Sequence, residues 1–244
     1  KTFQADLSNP ASLKALPVFH AVVLCQAPDK NGSYEKIYYE GTWNLLDVLW
    51  RQELKKLILI SSTSVYGVMD GSWVDEKDDT RKTEAVDRDA KWLLKTEDLV
   101  LSESQGIVFR LGGIYGPGRN RLEALKSGKL RPFFSETYMN RIHVDDAVSG
   151  IQLLLEKGRS KEIYLGVDDH PSTKKEFYEW LCGKLGLNIS IERRGDPPGR
   201  PYTDKNIARV SNKRCLNKKI KALGLKLIYP TFKEVYDALL KGDS

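Results

Sequence analysis

Four short clusters carry the residues that could do chemistry. Ser62 ends the apolar run "KKLILISS" (55–62), and Tyr66 stands four residues further on. A hydroxyl there can bond a substrate oxygen, and a phenol can pass a proton. Tyr66 has no partnered base in sequence, however, and a serine at a strand end also satisfies backbone groups in a turn. The string "GGIYGPG" (112–118) allows close backbone approach, and Arg119 follows it. "RIHVDDAV" (141–148) carries Arg141 and His143. Its structural reading is a helix from 146 onward capped by Asp145 or Asp146, with His143 packed and hydrogen-bonded. The fourth cluster, "DRDAKWLLKTEDLV" (87–100), places Lys91 and Lys95 four apart, but no tyrosine lies between Gly67 and Ile114 to pair with them.

The elements that must position these groups follow from the hydrophobic pattern. Apolar runs at 20–28, 55–62 and 106–111 read as strands that are apolar on both faces, so helices cover both sides of a parallel sheet. The stretch 33–52 has apolar residues at 34, 37, 38, 45, 48 and 49, one face of a helix. Asn9 and Pro10 open a helix after a strand end at Ala5-Asp6-Leu7. Thr173 and Glu176 have capping-box spacing for a helix that Gly186 ends, and 231–242 is a last amphipathic helix. The polar segment 67–87 reads as a surface loop.

The chain has 244 residues, 41% of them hydrophobic, enough for a full core. No apolar run approaches the length of a membrane span. Cys25, Cys182 and Cys215 are far apart and read as buried free thiols. The reading is a soluble protein of a reducing intracellular compartment, cytoplasm or organelle matrix or stroma. His20 and His170 lack metal-ligand spacing, so no metal is expected. The net charge of +6 is uneven: between Ser190 and Pro230, eleven Lys and Arg face Glu192, Asp196 and Asp204. That basic quarter is either a solvated face or a contact for phosphate, nucleic acid or an acidic partner. The first residue is Lys1, so the N-terminus is processed or the sequence starts inside a longer chain.

In order, "ADL", "VVLCQAP", "YYEGTWNLL", "SSTSVYG", "RLGGIYGPGR", "RIHVDDAV" and "VSNKR…LGLKLIYPTF" resemble the extended short-chain dehydrogenase/reductases. Within these the chain is similar to an atypical group of the NAD-dependent epimerase/dehydratase branch. The resemblance implies a doubly wound, Rossmann-like α/β fold with a small C-terminal α/β lobe. It divides the chain into a partial dinucleotide-binding domain (1–118) and a mainly substrate-side lobe (119–244), with 141–158 packing back on the sheet. It implies NAD or NADP, NADP being favoured, near Asp6, Leu7, Ala27, Pro28, Ser61, Gly112, Gly113 and Ile114. Ser62 would be catalytic, and a nucleotide-sugar-like or other small substrate would meet Tyr66, Arg119, Arg141, His143 and Arg209. Lys213 and Arg214 are further basic candidates for a substrate phosphate.

Two departures from the resemblance bear on activity. The first βαβ unit, with its Gly-rich turn for the cofactor pyrophosphate, is not in this sequence, and "GGIYGPG" ends a late strand and is no substitute. The family's catalytic Tyr and Lys stand four apart on one helix, where the Lys lowers the phenol's pKa. Anchored on Glu97, those positions hold Asp89 and Leu93. Two expectations follow. One is a nicotinamide-binding, epimerase-like protein with weak or no ordinary reductase activity, which takes its cofactor only when the missing unit is present. The other is a non-catalytic subunit of a protein or ribonucleoprotein assembly, joined through the exposed sheet edge and the basic quarter.

Overall fold

The computed structural model describes residues 1–28, 32–49, 52–78, 80, 88–130, 135–187 and 211–241. In chain order the strands are β1 (Ala21–Leu24), β2 (Lys56–Ser62), β3 (Trp73–Val74), β4 (Gly106–Leu111), β5 (Gly113–Tyr115), β6 (Tyr138–Met139), β7 (Arg141–His143), β8 (Glu162–Gly166), β9 (Ser172–Thr173) and β10 (Arg214–Cys215). The α-helices are α1 (Pro10–Leu13), α2 (Gly41–Leu49), α3 (Arg88–Ser102), α4 (Leu122–Lys126), α5 (Val144–Lys157), α6 (Lys174–Leu185), α7 (Lys218–Leu223) and α8 (Phe232–Lys241).

The apolar runs make one parallel sheet in the order β1-β2-β4-β8, a Rossmann-like arrangement. Register aligns the carboxyl ends of β2, β4 and β8, Ser62 with Leu111 and Leu111 with Gly166, while β1 ends earlier, with Leu24 level with Leu59. All six residues of β4 are buried, as two-sided coverage requires. On one face Ile58, Ile107 and Phe109 meet Ala147 and Leu154 of α5 and Ile220 of α7. On the other, Leu57, Leu59 and Val108 meet Leu13 of α1, Leu45, Leu46 and Leu49 of α2, and Val100 of α3. The sheet is therefore doubly wound. A second core joins Leu122 and Leu125 of α4, Phe177 and Leu181 of α6, and Phe232 and Tyr236 of α8, giving the C-terminal lobe its own interior.

Several local expectations change. Ala5–Leu7 is not a strand end, because the Asp6 carboxylate takes hydrogen bonds from the Ser8 N–H and hydroxyl, both 2.8 Å, in a side-chain-closed turn. The helix expected over 33–52 begins as a π-helical turn, Glu35–Glu40, before α2. Within the expected loop 67–87, Trp73–Val74 pairs with Arg214–Cys215, and Val74 is buried; residues 79 and 81–87 lie outside the description. Cys25 is exposed, whereas Cys182 and Cys215 are buried, and all three thiols are free.

β8 is one margin of the sheet, and side chains seal it. The Leu165 N–H donates to Glu76 Oε1 at 3.0 Å, and Lys219 Nζ donates to the Ile163 carbonyl at 2.6 Å. β1 forms the other margin among the described residues, with Ala21 exposed. No helix of the described residues is long and apolar enough to cross a membrane.

Candidate functional site

At the end of β2 the strand alternation sends Ser61 and Ser62 to opposite sides. Ser61 is 5% exposed and donates its hydroxyl to Glu97 Oε1 of α3. It faces the interior and not the cofactor side that the resemblance implied. Ser62 is half-buried; its Oγ accepts from the Ser64 N–H at 3.1 Å and caps the 3₁₀ turn Thr63–Val65. Glu97 also receives Arg110 of β4, with Nη2 to Oε2 at 2.6 Å and Nε to Oε1 at 3.0 Å. Arg110 Nη1 donates to the Tyr66 hydroxyl at 2.8 Å, which in turn donates to the Asp75 carbonyl at 2.8 Å. Tyr66 is 1% exposed, and burial, only partly offset by Arg110, lifts its phenol far above the ordinary range. The substrate contact expected of Tyr66 is corrected: its ring is core and its hydroxyl links the Ser62 turn to Arg110.

Helix α3 carries the positions that the resemblance assigns to a Tyr/Lys pair. Leu93 is 2% exposed and lies in a cluster with Val65, Tyr66, Val74, Leu165, Val167 and Cys215. An aliphatic side chain thus packs where an ammonium would be needed. Lys95 is turned to the surface, its Nζ 4.1 Å from the Trp92 ring centroid.

After β4 the chain turns at Gly112–Gly113. A Cβ at Gly112 would stand 2.8 Å from the Asn140 carbonyl oxygen, so only glycine fits there. The Gly113 N–H donates to that carbonyl at 2.8 Å, while Gly113 is exposed and Ile114 half-buried. Asn140 clamps a second segment as well: its Nδ2 donates to the Lys213 carbonyl at 3.0 Å and its Oδ1 accepts from the Cys215 N–H at 2.7 Å. Residues 211–215 also run along the turn after Ser62, with Ser211 Oγ bonding the Tyr66 carbonyl at 3.4 Å and the Asn212 N–H bonding the Val68 carbonyl at 2.9 Å. The C-terminal lobe therefore delivers Lys213 to the carboxyl ends of β2 and β4.

The substrate-side candidates separate. Arg119 is exposed at the loop tip, its backbone paired with Gly116. Arg141 is not on the cleft surface: it is 8% exposed, stacks its guanidinium 4.4 Å from the Phe177 ring centroid, and donates Nη1 to Ser172 Oγ at 2.8 Å. His143 is 2% exposed and is itself the N-cap of α5, accepting from the Asp145 N–H through Nδ1 at 3.3 Å. Its ring lies 4.1 Å from that of Tyr229, and burial lowers its pKa, with Asp145 and Asp146 opposing. Asp146 caps nothing in its own helix; its two oxygens accept from the Ile228 and Tyr229 N–H groups at 2.6 and 3.0 Å. Arg209 lies outside the described residues.

On the β1 side, Ala27 is exposed and Pro28 half-buried beyond the strand end. Leu7 lies on α2, its carbonyl accepting from Asn44 Nδ2 at 2.9 Å, and Asp6 beside it is exposed. Ala27, Pro28, Ser62, Gly113 and Ile114 thus stand at or just beyond the carboxyl ends of three neighbouring strands, where open α/β sheets take ligands. A surface cavity of about 620 Å³, lined by Asp75, Lys77, Lys161 and Lys218 among others, lies instead against the outer margin of β8.

Three groups lay outside the sequence reading: the Glu97–Arg110 pair, Asn140 and Asp168. Arg110 gave a signal, a lone charge inside the apolar run "GIVFRL". Asp168, which follows β8, is 2% exposed; its Oδ1 accepts from the His170 N–H at 3.1 Å, while Oδ2 has no hydrogen-bond partner among the described residues. Burial pushes this carboxyl up to about 8, against the pull of Arg141.

Comparison with known proteins agrees with this fold. The model of the NAD dependent epimerase/dehydratase family matches residues 1–165. Protein YeeZ of Escherichia coli (strain K12) is 30% identical over 178 residues, which are 72% of this chain and 62% of YeeZ, so the match spans less than two-thirds of that relative. A solved structure from Methylobacillus flagellatus, provisionally described as an NAD-dependent epimerase/dehydratase, is 29% identical with a TM-score of 0.75, covering 98% of this chain and 82% of its own. A double mutant of the dTDP-glucose 4,6-dehydratase DesIV from Streptomyces venezuelae, solved with NAD bound, is 20% identical with a TM-score of 0.75, covering 97% and 77%, and shares the fold. With its parallel sheet, its "SSTSVYG" and "RLGGIYGPGR" turns and the match over residues 1–165, this chain belongs to the NAD-dependent epimerase/dehydratase family.

Proposed function

We propose that this chain binds NAD or NADP, with NADP the favoured form, along the carboxyl ends of β1, β2 and β4, and that it has lost ordinary Tyr/Lys reductase chemistry. The observation that carries this reading is that Ala27, Pro28, Ser62, Gly113 and Ile114 stand at or just beyond the carboxyl ends of adjacent strands. The residues fit part of a dinucleotide. A Cβ placed on Gly113 would come no nearer to any neighbour than 3.5 Å, at the Asn140 oxygen, which leaves the outer face of that glycine open to a flat ring. Ala27 and Pro28 would border the ribose and Asp6–Leu7 the adenine edge. A Gly-rich turn for the pyrophosphate is not in this sequence, so binding rests on a segment beyond these residues.

When bound, a nicotinamide accepts or donates hydride. The chain's own part is positioning: Ser62 would hold a substrate oxygen by hydrogen bond, and Arg119 would meet a nucleotide-sugar-like or other small substrate from the lobe within 119–244. With Leu93 in the core and no phenol supplied by α3, proton transfer lacks its usual partner, and losing such a group costs about 10² to 10⁴ in rate. Native mass spectrometry of the protein from its own source, followed by NADPH and NADH titration, tests this. A dinucleotide-sized mass increment and saturable binding are expected. A chain that is bare, or bound only to another macromolecule, would favour the competing reading of a non-catalytic subunit.

A further inference from the structure

β10 is a strand of two residues, and one side chain completes it. On one side Arg214 and Leu216 donate their N–H groups to the Ser72 and Val74 carbonyls at 2.9 and 3.0 Å, in the parallel pair with β3. On the other side the neighbour is a carboxamide. Asn140 Nδ2 donates to the Lys213 carbonyl at 3.0 Å, and Oδ1 accepts from the Cys215 N–H at 2.7 Å. A residue of a parallel strand makes that same pair of bonds, to the residues before and after the one it faces. The side-chain amide of Asn140 thus takes the place of a peptide group opposite Arg214.

The main chain of the same residue serves a second element. Its carbonyl accepts from the Gly113 N–H at 2.8 Å and packs so closely on Gly112 that a Cβ there would stand 2.8 Å away. Half-buried Asn140 therefore joins the turn after β4, where Gly113 is exposed, to the lobe strand that runs along the turn after Ser62. Isolated short ladders are marginal in water, so β10 depends on what holds its second edge. Asn212 supplies an anchor that bypasses the carboxamide, its Oδ1 accepting from the Tyr138 N–H at 2.9 Å.

We infer that Asn140 is a positioning residue that couples the Gly113 turn to β10. A ligand seated on Gly113 tightens the lobe strand, and a loosened strand loosens the turn, because such coupling is reciprocal. The element with two states is β10, held or released along its Asn140 edge. This rests on the proposed function for its ligand, but half of its test needs none.

The experiment is amide hydrogen exchange, read by NMR at Gly113, Tyr138 and Cys215, with and without NADPH. In the ligand-free protein Asn140→Ala speeds exchange about tenfold at Cys215 and also at Gly113, whose own hydrogen bond is to the backbone and survives the substitution. Asn212→Ala speeds Tyr138 and leaves Gly113 at its wild-type rate. Asn140→Asp keeps an acceptor for Cys215 and loses the donor to Lys213. It shows a smaller rise at the same two amides and decides the question where Asn140→Ala does not fold. At about ten times its dissociation constant, NADPH slows Gly113 and Cys215 of the wild type by up to about tenfold. In Asn140→Ala it slows Gly113 alone. The inference is overturned if Gly113 keeps its wild-type rate in both Asn140 variants, or if Asn212→Ala speeds it equally. It is also overturned if bound NADPH leaves wild-type Cys215 unprotected, or protects Cys215 in Asn140→Ala as it does in wild type. Failure of NADPH to bind the wild type counts against the cofactor reading, and the ligand-free rates then decide the inference by themselves.

Discussion

Glu97 and Arg110 grip each other at two points inside the protein, with side chains 2% and 4% exposed, and so bind α3 to the centre of the sheet. Removing one partner leaves the other charge buried alone, which costs about 3–5 kcal/mol. Glu97→Ala is therefore expected to lower unfolding free energy by that amount in urea titrations. Replacing both, as Glu97→Leu with Arg110→Met, should cost clearly less than the two single changes together. Additive losses would show that the pair is not the source of the effect.

Asp168 predicts a pH dependence of stability. Its carboxyl stands at about 8 in the folded chain against an ordinary value of 3.8. The folded state therefore holds this proton more tightly than the unfolded state. Its stabilising contribution is complete below 3.8 and is lost as pH rises towards about 8. Asp168→Asn should flatten the decline of Tm across that window and melt above wild type at the alkaline end. Parallel Tm profiles from calorimetry between roughly pH 5 and pH 8.5 would refute the assignment.

Leu93 makes restoration of a Tyr/Lys pair costly. Lysine at a position 2% exposed, among Val65, Tyr66 and Val74, buries an unpaired ammonium. Leu93→Lys should destabilise the protein by about 3–5 kcal/mol. A loss under about 1 kcal/mol in denaturant unfolding would mean that the site has room and polarity for the ammonium. Introducing Asp89→Tyr as well should not recover rapid NADPH oxidation, read by absorbance with carbonyl substrates.

Asp146 ties the C-terminal segment to the start of α5. Both its oxygens accept backbone N–H groups, at Ile228 and Tyr229, and hydrogen bonds to a charged group contribute about 1.5–3 kcal/mol each. Asp146→Ala should raise hydrogen exchange at those two amides by more than about tenfold while leaving β2 and β4 protected. Unchanged exchange there would place the anchor elsewhere.

The same residue shows what was legible in the sequence. β1, β2 and β4, α3, α6 with its Thr173 cap and αL Gly186, and the last helix could be read because burial on both faces and capping chemistry are local signals. Which way a polar side chain turns is not local. Ser61 and Ser62 are chemically identical, yet pairing with Glu97, 36 residues away, draws only Ser61 inward. Asp146 has the position of a helix cap but is taken by a segment 82 residues further on, and His143 fills the vacancy. Tyr66 and Arg141 carry functional groups of the right type, but Arg110 engages one and the Phe177 face the other, so both became interior residues. Lys213, which the resemblance offered as a basic candidate for a substrate phosphate, is buried, and nothing in its neighbours in sequence marked it so.

The sealed margin of β8 has a consequence for misassembly. Strand-to-strand addition needs a free row of N–H and C=O groups, and Glu76 and Lys219 occupy that row at Leu165 and Ile163. Within the four-stranded sheet of the described residues, β1 is the margin left without a neighbouring strand. A sheet with one sticky border can be joined once, by a completing strand or by the same border of a second molecule. Either event consumes the template. Through this sheet, association by strand addition is therefore expected to stop at a pair.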